Sequence, residues 1–493
     1  MAEIRLLGVD IGTTGSKAVI FDASGHQIAS AYGDYPLHTG ASGEATLDAA
    51  QVLTVAEAAI LEACRKAGEP GPSALATAAQ GEAFMPVDAG GHPLGPAIVT
   101  FDRRGEQGVG ILRQHGWGQR QESAGLPLSW IVTAAKLAFA RSATPSSYQT
   151  ATRFLCFEDL LVARLTGEPV ISDSLAQRTF LLDRRRTDWD PRSLAELDLQ
   201  GRLARIVPSG RPAGTVTAAR AAELGLRPGC LVVAGAHDQT AALIGSGAIA
   251  PGTGAHSTGT VDCLSLLLPD RALGDLGNHG YGLGVYPLPD LAVTLAFGFG
   301  GGALLQWWRQ TLSWGGASPT VADLLAEAEP VMTPEAALPC AVPFWSGSGT
   351  PDLDAADRGA LLSLTLDTTR GDITAALVRG MILETERNLS ALRRLGIEVS
   401  ELRLVGGGSR NATWNQLRAD LLGVPYVEVD TREAGCLGAA MLAGLGAGIF
   451  TDLQAAGRAM VRLGRRYQPR PSAHPDMVRE YGRAVRATRA VRG

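Results

Sequence analysis

Lysine is almost missing from this chain of 493 residues: Lys17, Lys66 and Lys136 are the only three, and arginine supplies the rest of the 44 basic side chains. Against 49 acidic residues they leave a net charge of −5, which excludes a general nucleic-acid binder, since such proteins carry a basic surplus. The arginine bias, with the richness in Ala and Gly, reads as codon usage, and Arg184-Arg185-Arg186 and the tail from Arg462 read as solvated faces. Cysteine is sparse, and none of Cys64, Cys156, Cys230, Cys263, Cys340 and Cys436 stands at CxxC or zinc-ligand spacing. That excludes a zinc module and fits a reducing cytoplasm. Long apolar runs are also missing. The most apolar later stretch, Leu231 to Ala250, is interrupted by His237, Asp238 and Gln239, and the N-terminus has no secretory apolar region. A soluble, cytoplasmic protein is expected.

What is present is apolar material in quantity: 45% of residues are hydrophobic, and the chain is too long for one core, so roughly two to four domains are expected. Helical spacing predicts helices over 49–67, 131–141, 157–166, 238–247, 372–395, 411–422 and 435–447. Short strands are expected over 74–79, 97–100, 231–235, 401–405 and 426–429, which makes the chain α/β. A boundary falls near Ile249-Ala250-Pro251-Gly252, dividing 1–248 from 249–493. The one internal echo lies on either side of it. Leu6 to Asp22 and Ala255 to Leu267 each read as strand, tight Gly/Thr turn, strand.

Each turn is a candidate phosphate cradle, because glycines admit close backbone approach, hydroxyls donate, and successive amides form anion-binding concavities. Facing each other across a cleft, the two can hold the phosphates of one nucleotide. The first misses the P-loop spacing, since Gly12 and Gly15 are two residues apart and Ser16 precedes Lys17. An ordinary hairpin turn with left-handed glycines is the alternative. Asp10, at the strand end, can hold a divalent metal directly or through water. His237-Asp238-Gln239 follows an apolar strand, where open α/β sheets place ligand groups. Asp238 there can either cap the next helix or accept the proton of a hydroxyl attacking phosphorus. Gln80-Gly81-Glu82 and Thr100-Phe101-Asp102-Arg103-Arg104 also follow strands. Glu82, Asp102 and Arg104 can bind a polyhydroxylated ligand or be solvated loop charges. Gly406-Gly407-Gly408 before a helix can let a flat adenine or ribose lie on backbone, or form a flexible loop, with Ser409 or Asn411 as the helix cap.

Taken in order, these segments resemble the FGGY family of carbohydrate kinases, from Leu6 to about Gly448. The marks are Asp10-Ile11-Gly12-Thr13-Thr14, Gly235 to Leu243, Ser257-Thr258-Gly259-Thr260, Arg358-Gly359-Ala360, and Gly406 to Gln416 continuing to Gly438-Ala439-Ala440. The resemblance implies two actin-like, ribonuclease H-like ATPase domains with ATP and Mg²⁺ in the cleft between them. It implies Asp238 as general base and metal contact, and Asp10 as a metal ligand through water. Gly12, Thr13, Thr14, Gly259 and Thr260 would meet phosphates, and Gly407, Gly408 and Asn411 the adenosine. Gln80, Glu82, Asp102, Arg104, Asp238 and Gln239 would meet the substrate. Glu82 is similar to the Glu of the Arg-Glu pair that holds glycerol in glycerol kinases. Three departures touch the sugar pocket or its rim. Gly81-Glu82-Ala83 stands where xylulose-type kinases show Met-His-Gly, Thr100 where a Trp is usual, and Gly347-Ser348-Gly349-Thr350-Pro351 where Gly-Glu-Arg-Thr-Pro is usual. The expected substrate is a small sugar or polyol, foremost a pentulose such as xylulose. Erythritol, a glycerol-like polyol, gluconate, ribulose or fuculose are the alternatives, and a non-catalytic ATP-binding sugar sensor is the rival. A homodimer is in keeping with the family.

Overall fold

The computed structural model describes residues 4–259, 261–270, 276–312, 319–406, 408, 411–470 and 475–492. The first half contributes β1 (Arg5–Ile11), β2 (Gly15–Asp22), β3 (Gln27–Asp34), α1 (Ala49–Ala67), β4 (Ala74–Ala79), α2 (Phe157–Thr166), α3 (Asp173–Arg178), β5 (Pro212–Thr215), β6 (Leu231–His237) and α4 (Asp238–Gly245). The second contributes β7 (Thr253–Thr258), β8 (Asp262–Pro269), β9 (Gly284–Val285), β10 (Leu291–Gly298), α5 (Gly302–Thr311), α6 (Arg370–Arg394), β11 (Glu401–Val405), α7 (Ala412–Leu422), β12 (Tyr426–Val429), α8 (Ala434–Gly446), β13 (Leu463–Tyr467) and α9 (Pro475–Arg492).

Local chemistry sets these limits. Asp48 accepts the Ala50 and Gln51 amides at the start of α1, Val52, Ala56, Ile60 and Ala63 face the core, and Gly68 ends the helix at φ 67°. Thr369 and Asp372 form a reciprocal capping box at the start of the 25-residue α6. The strand expected over 97–100 shortens to Ala97–Ile98, and beyond it Thr100 Oγ1 donates to Gly81 O at 2.8 Å. The helix expected from Ile131 starts at Thr133.

The first sheet runs β5-β6-β4-β1-β2-β3 and the second β9-β10-β8-β7-β11-β12-β13. Their pairings correspond strand for strand, except that the second sheet adds β9 beyond β10. β1 is antiparallel to β2 and parallel to β4, as β7 is to β8 and β11. β4 runs parallel to β6, as β11 does to β12, and each sheet ends on an antiparallel edge, β5 or β13. The echo of two hairpins is thus the visible part of a duplicated sheet, although β5 precedes its partner in the chain and β13 follows.

The helices after β6 and β12 are equivalent and cross one another: α8 packs on both α4 and β1. At the crossing the backbones touch. A Cβ on Gly245 would lie 1.9 Å from Ala434 O, and one on Gly438 would lie 1.9 Å from Ala241 O. Gly438→Val is therefore expected to cost at least the ~1–3 kcal/mol of an overpacked core, read as a lower thermal midpoint. Gly110→Ala, on a helix where an added Cβ meets nothing within 4 Å, is expected to be neutral or mildly stabilising.

Candidate functional site

The β1–β2 turn is braced from below. Gly12 N donates to Gly15 O at 3.0 Å, and Gly12 O accepts from Gln80 Nε2 at 2.9 Å and from the Tyr35 hydroxyl at 2.7 Å. Neither Gly12 nor Gly15 takes a left-handed φ, so the alternative of a hairpin turn built on such glycines does not hold. Gly15 is glycine because the Tyr32 hydroxyl lies 2.4 Å from where its Cβ would be. Thr13 and Thr14 stand at the tip, Thr14 exposed. Gln80, expected against substrate, is buried and spends its amide on this turn, with Thr13 Oγ1 3.5 Å from its Oε1.

The β7–β8 turn is the counterpart. Gly259 N donates to Val261 O at 3.0 Å, and Gly302 N, at the start of α5, donates to Gly259 O at 2.7 Å. Gly408 closes on Thr258, since its Cβ would lie 2.7 Å from Thr258 Cβ. Asn411 caps α7 through Oδ1, which accepts Trp414 N at 2.8 Å. Thr260 and Gly407 lie outside the described residues. Beneath this turn is a network the sequence reasoning missed. Asp262 accepts from His256 Nε2 at 2.9 Å, Thr258 Oγ1 at 2.9 Å and Thr385 Oγ1 at 3.2 Å, and Arg418 donates to Thr258 Oγ1 at 2.5 Å. His256 Nδ1 meets the Tyr426 hydroxyl at 2.7 Å, and buried Arg418 stacks on Trp414 at 4.4 Å. Burial pushes the Asp262 carboxyl up, but His256 and Arg418 outweigh it and hold it down at about 2.

Asp10, near the end of β1, and Asp238, at the start of α4, lie close enough for the first carboxylate to act on the second. Burial raises Asp10 to about 6, Lys17 opposing and Glu433 adding. Lys17 Nζ is itself tied to Glu433 Oε2, just before α8, at 2.6 Å. A Cβ on Gly435 would lie 2.7 Å from Asp10 Oδ2, so the carboxylate sits against the first turn of α8, where the helix dipole favours it. Asp238 is pushed up to about 8 by burial, then by Asp10 and Glu82, with the Gln239 amide and Arg178 opposing. Its side chain keeps about 30% exposure. It is partly open to water, and the protein packed around it desolvates it. Asp238 is the first residue of α4, and His237 holds the cap position, so the capping alternative also falls. Gln239 N donates to Asp238 Oδ1 at 2.6 Å and His237 Nε2 lies 3.2 Å from the same oxygen. Oδ2 has no partner among the described residues. Burial and Arg178, opposed by Glu82, depress His237 to about 3, so its imidazole is neutral.

Glu82 lies on the other side of Asp238. It is buried at φ 61°, a strained conformation for a non-glycine residue. Its Oε1 accepts from Arg178 Nε at 2.6 Å and its Oε2 from Thr100 Oγ1 at 3.1 Å. Burial raises the Glu82 carboxyl, but Arg178, with Lys136 adding, holds it below its usual range. The guanidinium beside this Glu comes from α3, 96 residues away, which no local pattern announces. Gly81 makes room for His237, whose ring lies 2.6 Å from where a Cβ at 81 would be. Lys136, fully buried, donates to Val99 O at 3.1 Å and is lowered by burial to about 8. Asp102 and Arg104 are narrowed by the geometry. Asp102 has no exposed surface and gives both oxygens to Arg104, with Oδ2 also accepting Ala45 N at 3.0 Å. Only Arg104, one-fifth exposed, keeps a face to solvent. Gln239 is half-buried on the first turn of α4. A recess between the halves opens beside Arg178 and His237 and is lined further by Ser129, Gln177, Thr240 and Phe297.

Two carboxylates raised chiefly by burial, Asp10 adding to the shift of Asp238, with no third His, Cys, Asp or Glu completing a cluster among the described residues, suit a hard cation that keeps most of its ligands as water and phosphate oxygens.

A model of the N-terminal domain of the FGGY family of carbohydrate kinases matches residues 5–245, and one of its C-terminal domain matches residues 255–447. A glycerol kinase from Bordetella parapertussis is 33% identical, over 96% of this chain and 94% of its own. Among solved structures, a gluconate kinase from Lactobacillus acidophilus superposes with a TM-score of 0.87 at 22% identity, over 100% of this chain and 98% of its own. A xyloylose kinase from Brucella ovis gives 0.86 at 25% identity, over 99% and 98%.

Proposed function

We propose, for a chain that belongs to the FGGY family of carbohydrate kinases and so acts on an alcohol group, that Asp238 is the general base for transfer of a phosphoryl group from ATP to a small ketose or polyol. The observation that carries this is the pairing of a held and a free oxygen on one carboxylate. Oδ1 is fixed by the Gln239 amide, while Oδ2 has no partner among the described residues and the side chain keeps about 30% exposure. A raised affinity for protons beside open space is what a base needs in order to take a proton from an attacking hydroxyl.

In this reading residues 1–248 and 249–493 form the two domains, and the turns at 12–14 and 259–260 grip the phosphates from opposite sides. Gly407, Gly408 and Asn411 meet the adenosine. Asp10 and Asp238 hold Mg²⁺, Asp10 through water; the cation supplies positive charge beside the transferring group. Glu82, with Arg178 behind it, and Gln239 orient the acceptor, Arg104 and Asp102 close the rim, and Gln80 acts from beneath the first turn. Closure of the domains keeps water from the phosphoryl group.

A pentulose such as xylulose is the preferred acceptor. Ser129, Ser174, Gln177, Thr240 and Thr350 all line the recess, more polar side chains than a triol engages. The glycerol-like reading is favoured by the Glu82–Arg178 pair and by the glycerol kinase relatives. Release of ADP is to be measured with xylulose, ribulose, xylitol, erythritol, glycerol, gluconate and fuculose, and with none. ADP that depends on a pentulose is the expected result. Preference for glycerol selects the second reading, and ADP formed equally without acceptor overturns both.

A further inference from the structure

Gln177 holds an unusual position. It lies on α3 of the first half, is fully buried, and borders the recess. Its Nε2 donates to Ala124 O and to Leu283 O, each at 3.0 Å. One amide thus bridges the two halves, for Ala124 belongs to the first and Leu283 to the segment leading into β9. Beside it Leu283 N donates to Gly125 O at 2.6 Å. The strap passing Gly280, Gly282 and Gly284 lies close enough on the first half that a Cβ on Gly282 would be 2.5 Å from Leu126 Cδ2. Two carbonyl oxygens facing one end of the amide fix its orientation: nitrogen must point at them. Oε1 is therefore turned the other way, and it is buried with no hydrogen-bond partner. Gly284 lies near it, where an added Cβ would be 3.3 Å from Oε1. An unpaired buried carbonyl is costly, and here it borders a space lined by hydroxyl and guanidinium side chains.

We infer that Gln177 is a specificity residue that couples acceptor binding to closure, its Oε1 accepting a hydrogen bond from a substrate hydroxyl while its Nε2 pins the Leu283 strap to the first half. The inference rests on the sugar-kinase reading for its ligand but not for its latch. A hydroxyl on Oε1 satisfies the orphaned acceptor only when the side chain is held in this orientation, and the strap holds it there. Binding energy from a hydroxyl away from the reacting centre is thereby used to bring the halves together.

Two variants separate the parts. Gln177→Met keeps length and removes both polar ends. Gln177→Glu keeps an acceptor but sets carboxylate oxygen against Ala124 O and Leu283 O. Small-angle scattering of the full chain without ligands is expected to give a larger radius of gyration for Q177E than for wild type. With whichever of the seven acceptors above wild type turns over fastest, Q177M is expected to raise the acceptor KM about five- to tenfold, the equivalent of one lost neutral hydrogen bond. The KM for ATP should change less than twofold. A melting curve checks that each variant is folded. An unchanged radius in folded Q177E overturns the latch whether or not any acceptor is turned over. An unchanged acceptor KM in Q177M overturns the reading of Oε1. Absence of turnover by wild type with every acceptor instead overturns the kinase reading, and leaves the latch to the scattering result.

Discussion

Asp238→Asn is expected to lower kcat by about two to four orders of magnitude, the usual contribution of a positioned base, while nucleotide binding changes little. The same substitution should make the protein more stable in alkali. The reason is the sign of the carboxyl's perturbation. Burial, Asp10 and Glu82 raise it from 3.8 to about 8 in the folded protein. The folded state therefore binds this proton more tightly than the unfolded chain does. Its contribution to stability is fully present below the unfolded value near 4 and is lost as pH climbs through about 8. Asparagine cannot ionise, so the variant should melt above wild type at pH 9 and near it at pH 4. In wild type, kcat/KM at low magnesium should rise with pH through an inflection near 8, since the free enzyme must shed the proton before it can act as base. Added magnesium favours the ionised pair and should move that inflection down. Sugar-dependent ADP release by the variant within tenfold of wild type would remove Asp238 from the role given to it.

The second large effect is expected at Asp262. Its carboxylate compensates buried Arg418 and joins His256, Thr258 and Thr385 under the second turn. Asp262→Ala strands a guanidinium in the core, and breaking a buried pair in this way costs about 3–5 kcal/mol. For a domain of this size that is a fall on the order of 10 °C in the midpoint of the second half. The KM for ATP should rise as well, because Thr258 and Gly408 lose their support. Here the pH dependence has the opposite sign. The carboxyl is lowered from 3.8 to about 2, so its stabilisation is present above about 4 and disappears as pH falls through about 2. Asp262→Asn, which keeps the shape, should lose less and should abolish that acid limb. Calorimetry between pH 2 and 7 measures both, and an alanine variant melting within a degree of wild type would show that the network holds nothing up.

The halves of this molecule differ in how far their sequence announces them. Helices such as α1 and α2 are legible to the residue, because an apolar run ends at a glycine within one short window, and in α1 a capping Asp48 and a 3.6-residue stripe add to it. The duplicated hairpins were legible because glycine and threonine must recur where two strands turn tightly. The duplication of the whole sheets was not, since β4 pairs with β1, and β11 with β7, across more than sixty residues and neither carries a mark of that partner. The same limit governs the site. Asp10 and Asp238 stand at strand ends, where position alone predicts exposure to a ligand. Arg178, Lys136 and Arg418 sit in unremarkable helical stretches and acquire meaning only when tertiary packing carries them to Glu82, Val99 O and Thr258. Gln80, Asp102 and Arg104 show the converse. They are polar residues in suggestive segments whose hydrogen bonds turn out to hold backbone and one another.

The glycine contact between α4 and α8 has a mechanical consequence. With main chain resting on main chain, nothing at that junction can compress or change rotamer, so the junction acts as a fulcrum. Rotation about it moves most the groups that lie farthest from the crossing. The floor at Asp10 and Asp238, close to the axis, travels least. The reacting groups can thus keep their alignment while the mouth swings wide enough to admit one cargo and discharge another.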